Sequence, residues 1–232
     1  MKARIIAALL MIIAVGQPDI YVARQRQLEN ILAPLLQPGA MSESYQEDPG
    51  WYDPADRQAL KNFIAENSDT EEAREAQVWL IFAQANTESA RFSWEKKRLR
   101  SERAKKLREI VSKTTRPGTA RMASLLRVYE LFEAEEWVEC EKQVQEIVAH
   151  IQEYQCDSNK QFRRLLTLME MRRSEIEPEV RIMLAIGEIH RRDLGAALAQ
   201  AEELKKDFPI WSRRERMDGA ISMLKRGESP WY

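Results

Sequence analysis

The sequence predicts an all-α protein, and three observations carry that expectation. Apolar residues recur at spacings of three and four almost everywhere beyond the amino-terminal segment. No run of β-branched residues alternates with period two between turn signals. Only 8 Gly and 9 Pro punctuate 232 residues, too few for a turn-dense β fold. Charge excludes other classes. With 36 basic and 37 acidic side chains the net charge is -1, which exerts no global pull on nucleic acid or an anionic membrane. Two cysteines cannot build a disulfide framework, and two histidines cannot furnish a histidine-rich metal centre.

Taken in order, the first element is an address. Lys2 and Arg4 precede an apolar run from Ile5 to Val15, and Gly16-Gln17-Pro18-Asp19 follow. That layout predicts a secretory signal peptide over 1–16, cut before Gln17 with Ala14 and Gly16 at the -3 and -1 positions. The run is about eleven residues long, against roughly twenty needed to span a bilayer. A retained anchor and a buried core helix are the alternatives. No cysteine follows the run, so the expectation is export without lipidation, to the periplasm or the extracellular medium.

Residues 17–55 predict a short helix and then an irregular connection, because Pro34, Pro38-Gly39, Pro49-Gly50 and Pro54 crowd the segment. Residues 56–226 read as one helical block. Ser68-Asp69-Thr70 before Glu71-Glu72 opens a helix, with carboxylates placed against the positive end of its dipole. Pro117-Gly118 separates two helices, Asp157-Ser158-Asn159 caps another, and Glu177-Pro178-Glu179 and Phe208-Pro209 mark later breaks. Between the breaks run three clear stripes. One is Met122, Leu125, Leu126, Tyr129 and Phe132. The next is Trp137, Cys140, Val144, Ile147, Val148 and Ile151, and the last is Leu194, Ala197, Leu198, Ala201, Leu204 and Phe208. The count is about nine helices, with 227–232 left as a tail.

A leucine precedes an alanine by sixteen residues three times, at Leu60/Ala76, Leu107/Ala123 and Leu204/Ala220. The leucines stand 47 and 97 apart, which fits units of about 47 residues. The carboxy-terminal part, Leu184-Ala185, Asp193-Leu194-Gly195-Ala196-Ala197, Ala201, Leu204 and Phe208-Pro209, resembles a tetratricopeptide repeat. Glu136-Trp137-Val138-Glu139-Cys140 resembles the same turn, with Cys140 in the small-residue slot, and Leu60 to Ala83 is similar to envelope-located members of that family. Arg181 and Glu188 depart from it, standing where large aromatics are common. The resemblance implies a tetratricopeptide-like α-solenoid of stacked hairpins, which binds a protein or peptide in its groove and performs no chemistry.

Motifs for catalysis are sparse. His150 and His190 are forty residues apart, outside any HExxH, and Ile147 and Gly187 stand where a di-iron bundle needs glutamates. No GxxxxGK[ST], GxGxxG or GxSxG occurs. Cys140 lies on an apolar stripe and reads as a small core residue. A Cys140–Cys156 bridge is not expected if one helix spans 136–153, since about 20 Å then separates them. No cofactor, metal or catalytic residue is predicted. An all-α glycan-cleaving enzyme remains a remote reading that needs one glutamate in a deep cleft.

Charge segregation is the sharper lead. Residues 91–116 hold eleven basic and three acidic side chains, or +8, and 129–158 hold one basic and nine acidic, or -8. Three readings follow: a solvated helix, internal pairing of the two segments, and a partner site. Arg103 speaks for pairing, because it shares a face with Leu99, Leu107 and Ile110 and must snorkel or find a carboxylate. Arg98, Lys105 and Arg108 point away from that face and are the candidate partner-binding residues. An acidic protein surface or an anionic envelope polymer suits them better than nucleic acid. Trp51-Tyr52, Trp94 and Trp231-Tyr232 lie outside the stripes and are expected to pack onto the ends of the helical stack, with Pro230-Trp231-Tyr232 alternatively a recognition tail.

Overall fold

The computed structural model describes residues 20–33, 54–87 and 92–230. The expected signal segment, most of the proline-rich connection with Trp51-Tyr52, and the terminal Trp231-Tyr232 lie outside the described residues. Every regular element described is helical, and no strand occurs among these residues. The chain forms two compact units, Met1–Thr87 and Glu88–Tyr232, so a unit boundary falls inside the block 56–226.

The first unit contains α1 (residues 20–32), α2 (Pro54–Glu66) and α3 (Glu71–Thr87). Thr70 caps α3 as its sequence predicts: its hydroxyl accepts from the Ala73 N–H at 3.2 Å. Helices α2 and α3 pair, burying Leu60, Phe63, Ala76 and Trp79. Leu28 and Leu32 of α1 are also buried.

The second unit is longer. It comprises α4 (Ser93–Lys113), α5 (Pro117–Glu133), α6 (Trp137–Ala149), α7 (Ile151–Gln155), α8 (Lys160–Leu168), a 3-10 turn (Arg173–Glu175), α9 (Ile176–His190), α10 (Leu194–Asp207), α11 (Pro209–Arg214) and α12 (Met217–Lys225). In space α4 packs on α5, α5 on α6, α6 on α9, α9 on α10 and α10 on α12, while α8 lies against α5. Twelve α-helices among the described residues replace the expected nine. The excess comes from short pieces: the stripe over 136–153 is interrupted at His150 (φ -116°, ψ 22°), and α11 is cut from α12 at Arg216. Pro178 does not end a helix. It sits in the first turn of α9, where the missing N–H has no intrahelical acceptor anyway.

Pairs of turns repeat. At 134–136, 169–171 and 191–193 the residue after the helix end takes a left-handed conformation, and two backbone N–H groups reach back to the last turn. These are Schellman closures, but Glu135, Glu170 and Arg192 occupy the left-handed position where glycine is usual. The two turns that the sequence equated, at Glu136 and Asp193, thus share one backbone geometry, and Cys140 and Ala197 four residues on are both buried. Leu60/Ala76 and Leu107/Ala123 are buried on paired helices; the third pair, Leu204/Ala220, is separated by α11, and Ala220 is half-buried.

Local choices explain the junctions. Asn159 caps α8 by accepting from the N–H groups of Gln161 and Phe162, both at 2.9 Å. Its side chain presses on Gly118, where a Cβ would come within 2.4 Å of it, so the α5–α8 approach requires glycine there. Arg121 extends the same junction to Asp157 at 2.8 Å. Arg181, at a position where the resembled family favours an aromatic, ties α9 to α10 instead: it reaches Glu203 at 3.2 Å and Asp207 at 3.0 Å and lies 5.7 Å from the Phe208 ring.

Candidate partner-binding site

Helix α4 has Glu95 in its first turn and Lys113 in its last, both favourable to the helix dipole, and no glycine or proline between. Successive residues turn by about 100°, so 21 residues present every side of the helix to a defined environment.

One side is internal. Arg103, Leu107 and Ile110 are buried against the rest of the unit, and the carboxylate that Arg103 requires is Glu130 on α5. Arg103 Nε donates to Glu130 Oε2 and Arg100 Nη1 to Oε1, each at 2.9 Å, with the carboxylate only 4% exposed. Burial pushes the Glu130 carboxyl up while both guanidinium groups pull it back. Burial is the larger of these effects, so the carboxyl stays above the usual carboxylate range. Towards the start of α4, Lys96 reaches Glu133 at 3.3 Å and Lys97 reaches Glu135 at 2.7 Å, both half-exposed. Four of the eleven cations are therefore matched to the acidic segment by tertiary contact, as internal pairing requires.

A second side neutralises itself. Glu95, Glu102 and Glu109 recur every seven residues and follow one line, with Lys106 and Lys113 beside it. Glu109 meets Lys113 at 2.5 Å, and that hydrogen bond and charge hold its carboxyl below the usual range. Glu102 contacts Arg98, at 3.8 Å, rather than Lys106.

The third side is the outer one, opposite Arg103. Trp94, Arg98, Ser101, Lys105, Arg108 and Ser112 fall within about 40° of a single line, and that line contains no acid. The three candidate residues are thus on one stripe and exposed. Among the described residues, neither Lys105 nor Arg108 has a carboxylate at ion-pair distance. Arg108 acts on charges of both signs: burial lowers the pKa of Arg127 on α5 and Arg108 lowers it further, against the opposing pull of Glu139 and Glu146, while Arg108 also helps to lower that of Glu139 on α6. Arg127 is held by Gln143 and, at 3.4 Å, by Glu139. That junction of α4, α5 and α6 had no sequence signal, because its members are up to 38 residues apart.

Trp94 does not pack onto the stack. It is 63% exposed and lies on Phe92, itself 51% exposed, with ring centres 6.1 Å apart and planes within 10°. Phe92 was not singled out by the sequence.

The other chemistry-bearing residues are occupied structurally. Cys140 is buried on α6, its thiol pushed up to about 12 by desolvation, and Cys156 is exposed and unbridged. His190 stacks on Trp137 at 4.5 Å, and His150 Nδ1 lies 3.0 Å from the Glu146 carbonyl. A shallow cleft between α6 and α9, lined by Trp137, Cys140, Met183 and Gly187, has room for about one water and is edged by Arg191, which is bound to Glu188 and Glu141. Among the described residues no group of three His, Cys, Asp or Glu could hold a metal, and no helix is long and apolar enough to cross a membrane.

Comparison with protein-family models, with curated proteins and with solved structures finds no match to this chain.

Proposed function

We propose that this chain is an exported, non-enzymatic adaptor whose tetratricopeptide-like helical array holds a protein partner. The outer face of α4 is the part of that surface that engages an acidic region. The observation that carries the reading is the division of α4: its inner cations end on Glu130, Glu133 and Glu135, while Arg98, Lys105 and Arg108 stand on the opposite side in a line free of acid. Arg98 keeps a 3.8 Å contact with Glu102, and neither Lys105 nor Arg108 has a carboxylate at ion-pair distance among the described residues; such exposed charges add little to stability, so their alignment is available for a partner. The repeated closures at Glu135 and Arg192, with Cys140 and Ala197 in equivalent buried positions, support the repeat architecture. Export rests on the basic and apolar pattern of residues 1–16.

In-cell crosslinking and pull-down from the native envelope tests both parts. The expected result is a mature chain beginning at Gln17 and a specific protein partner lost on the triple change R98E/K105E/R108E. Retention of the partner by that variant defeats the docking face, and an intact Met1 chain free in the cytosol defeats export. An anionic envelope polymer is the second reading, favoured by the same stripe; it requires affinity that falls steeply with salt and depends on charge alone.

A further inference from the structure

We propose that the outer stripe of α4 takes an acidic helical segment of a partner protein, anchored by an apolar side chain on the Phe92–Trp94 stack. This rests on α4 being the docking face and adds the chemistry of what docks.

The stripe is more than a line of charge. Its amino-terminal end is a flat aromatic surface of two stacked, half-exposed rings. Exposed tryptophan beside arginine is the combination on which binding energy concentrates, because the ring buries a large area with little loss of rotamer freedom. Arg98 follows Trp94 by one turn, Lys105 follows by two more, and Arg108 completes the line, about 21 Å from Trp94 along the axis. Carboxylates spaced four, seven and three residues along one side of a partner helix present the complementary line, with one apolar residue at the aromatic end. Between the cations lies Ser101, small and half-buried, which leaves room for a second helix to approach. The row Glu95, Glu102 and Glu109 runs about 60–100° to one side and, with Glu102 and Glu109 already paired to Arg98 and Lys113, offers a partner carboxylate less there than the stripe does.

A uniform polyanion uses the cations but has nothing for the aromatic surface. A single-stranded nucleic acid can stack on the rings, yet three aligned cations on a chain of net charge -1 give it a weak electrostatic footing. The apolar anchor and the spaced charges together favour a protein helix.

The test uses the full chain and a labelled 18-residue helical peptide carrying one Phe and, on the same side, Glu at spacings of four, seven and three. Binding is read by fluorescence anisotropy, with polyphosphate and a single-stranded oligonucleotide of matched charge as competitors. Affinity is expected to fall at least about ten-fold for Trp94→Ala and for R98E/K105E, and hardly at all for Lys113→Glu, which lies off the stripe. Replacing the peptide's Phe by Ala should cost as much as Trp94→Ala, without a further loss when both are combined. Circular dichroism and urea midpoints confirm that each variant is folded. If Trp94→Ala is silent while charge reversal abolishes binding, the anchor is wrong and the docking face survives. Tighter binding of polyphosphate or oligonucleotide than of the peptide overturns the choice of occupant. Failure of the peptide to bind overturns the inference alone, the docking face being decided by the R98E/K105E/R108E pull-down; binding that is indifferent to every change on the stripe overturns both.

Discussion

On the inner side of α4, Arg100 and Arg103 end on the two oxygens of Glu130; half a turn round the helix, Arg98, Lys105 and Arg108 stand in water. The residue types are the same and the physics is opposite. The inner cations lost hydration on folding, and only a carboxylate with both oxygens engaged offsets that loss, so they are locked into one arrangement of α4 on α5. The outer cations kept their hydration, and the ion pair that Arg98 makes, with Glu102 at 3.8 Å, stays within α4, so it ties the helix to no neighbour. What the difference teaches is that a charged helix can specify its own neighbour with one face and remain open to a foreign one with the other.

The largest break in this comparison comes from Glu130→Ala, which removes the buried carboxylate that Arg100 and Arg103 share. It should cost about 3–5 kcal/mol of unfolding free energy, read from urea titration, with α4 loosening first in hydrogen exchange. A loss no larger than that of a surface change would mean the inner pairs are incidental. The cysteines sharpen the same contrast between covered and open faces. At pH 8 Cys156 should react with a thiol reagent to completion before Cys140 reacts, and Cys140 should yield only in denaturant. The Cys140 thiol titrates higher folded (about 12) than unfolded (about 9), so the native state keeps a proton that the unfolded state loses. Stability should therefore fall as pH rises through that window, and Cys140→Ala should flatten the slope.

Double-mutant cycles come next in size. The Arg103/Glu130 coupling should exceed about 1.5 kcal/mol, and the half-exposed Lys97/Glu135 pair should give about 0.2–1 kcal/mol that salt removes. Equal couplings would erase the distinction between faces. At Arg192, exposed and left-handed at the α9–α10 turn, glycine should add about 0.5–1 kcal/mol, since the side chain makes no ion pair among the described residues and the strain is relieved. Smallest of all are Arg98→Gln and Lys105→Gln, each expected within about 0.5 kcal/mol of wild type. Arg108→Gln should fall in the same range, because the like charge it removes from Arg127 is offset by the opposite charge it removes from Glu139. A loss above that range at any of the three would show that the outer side is structural after all.

Much of this was legible in the chain itself. Arg103 among Leu99, Leu107 and Ile110 announces a buried cation, and the opposed charges of 91–116 and 129–158 announce where its partner lies. That the partner is Glu130, rather than any of eight other acids in that segment, was not legible, because it depends on the rotation of α5 about its axis when it packs. The interruption at His150 escaped a reading based on periodicity, since the apolar spacing runs on to Ile151 although the backbone does not continue as one helix. The closures at Glu135, Glu170 and Arg192 escaped too: glycine is the usual signal for a left-handed position, and none is present.

The sequence by itself determined that the chain is helical, where most helices start, and which side of each is apolar, for these follow from local propensity and from a 3.6-residue period. Only the tertiary structure decided which charges were spent inside and which remained outside. Desolvation is a property of the packed neighbour, and the same arginine is an internal brace or an open hand according to what the chain folds against it.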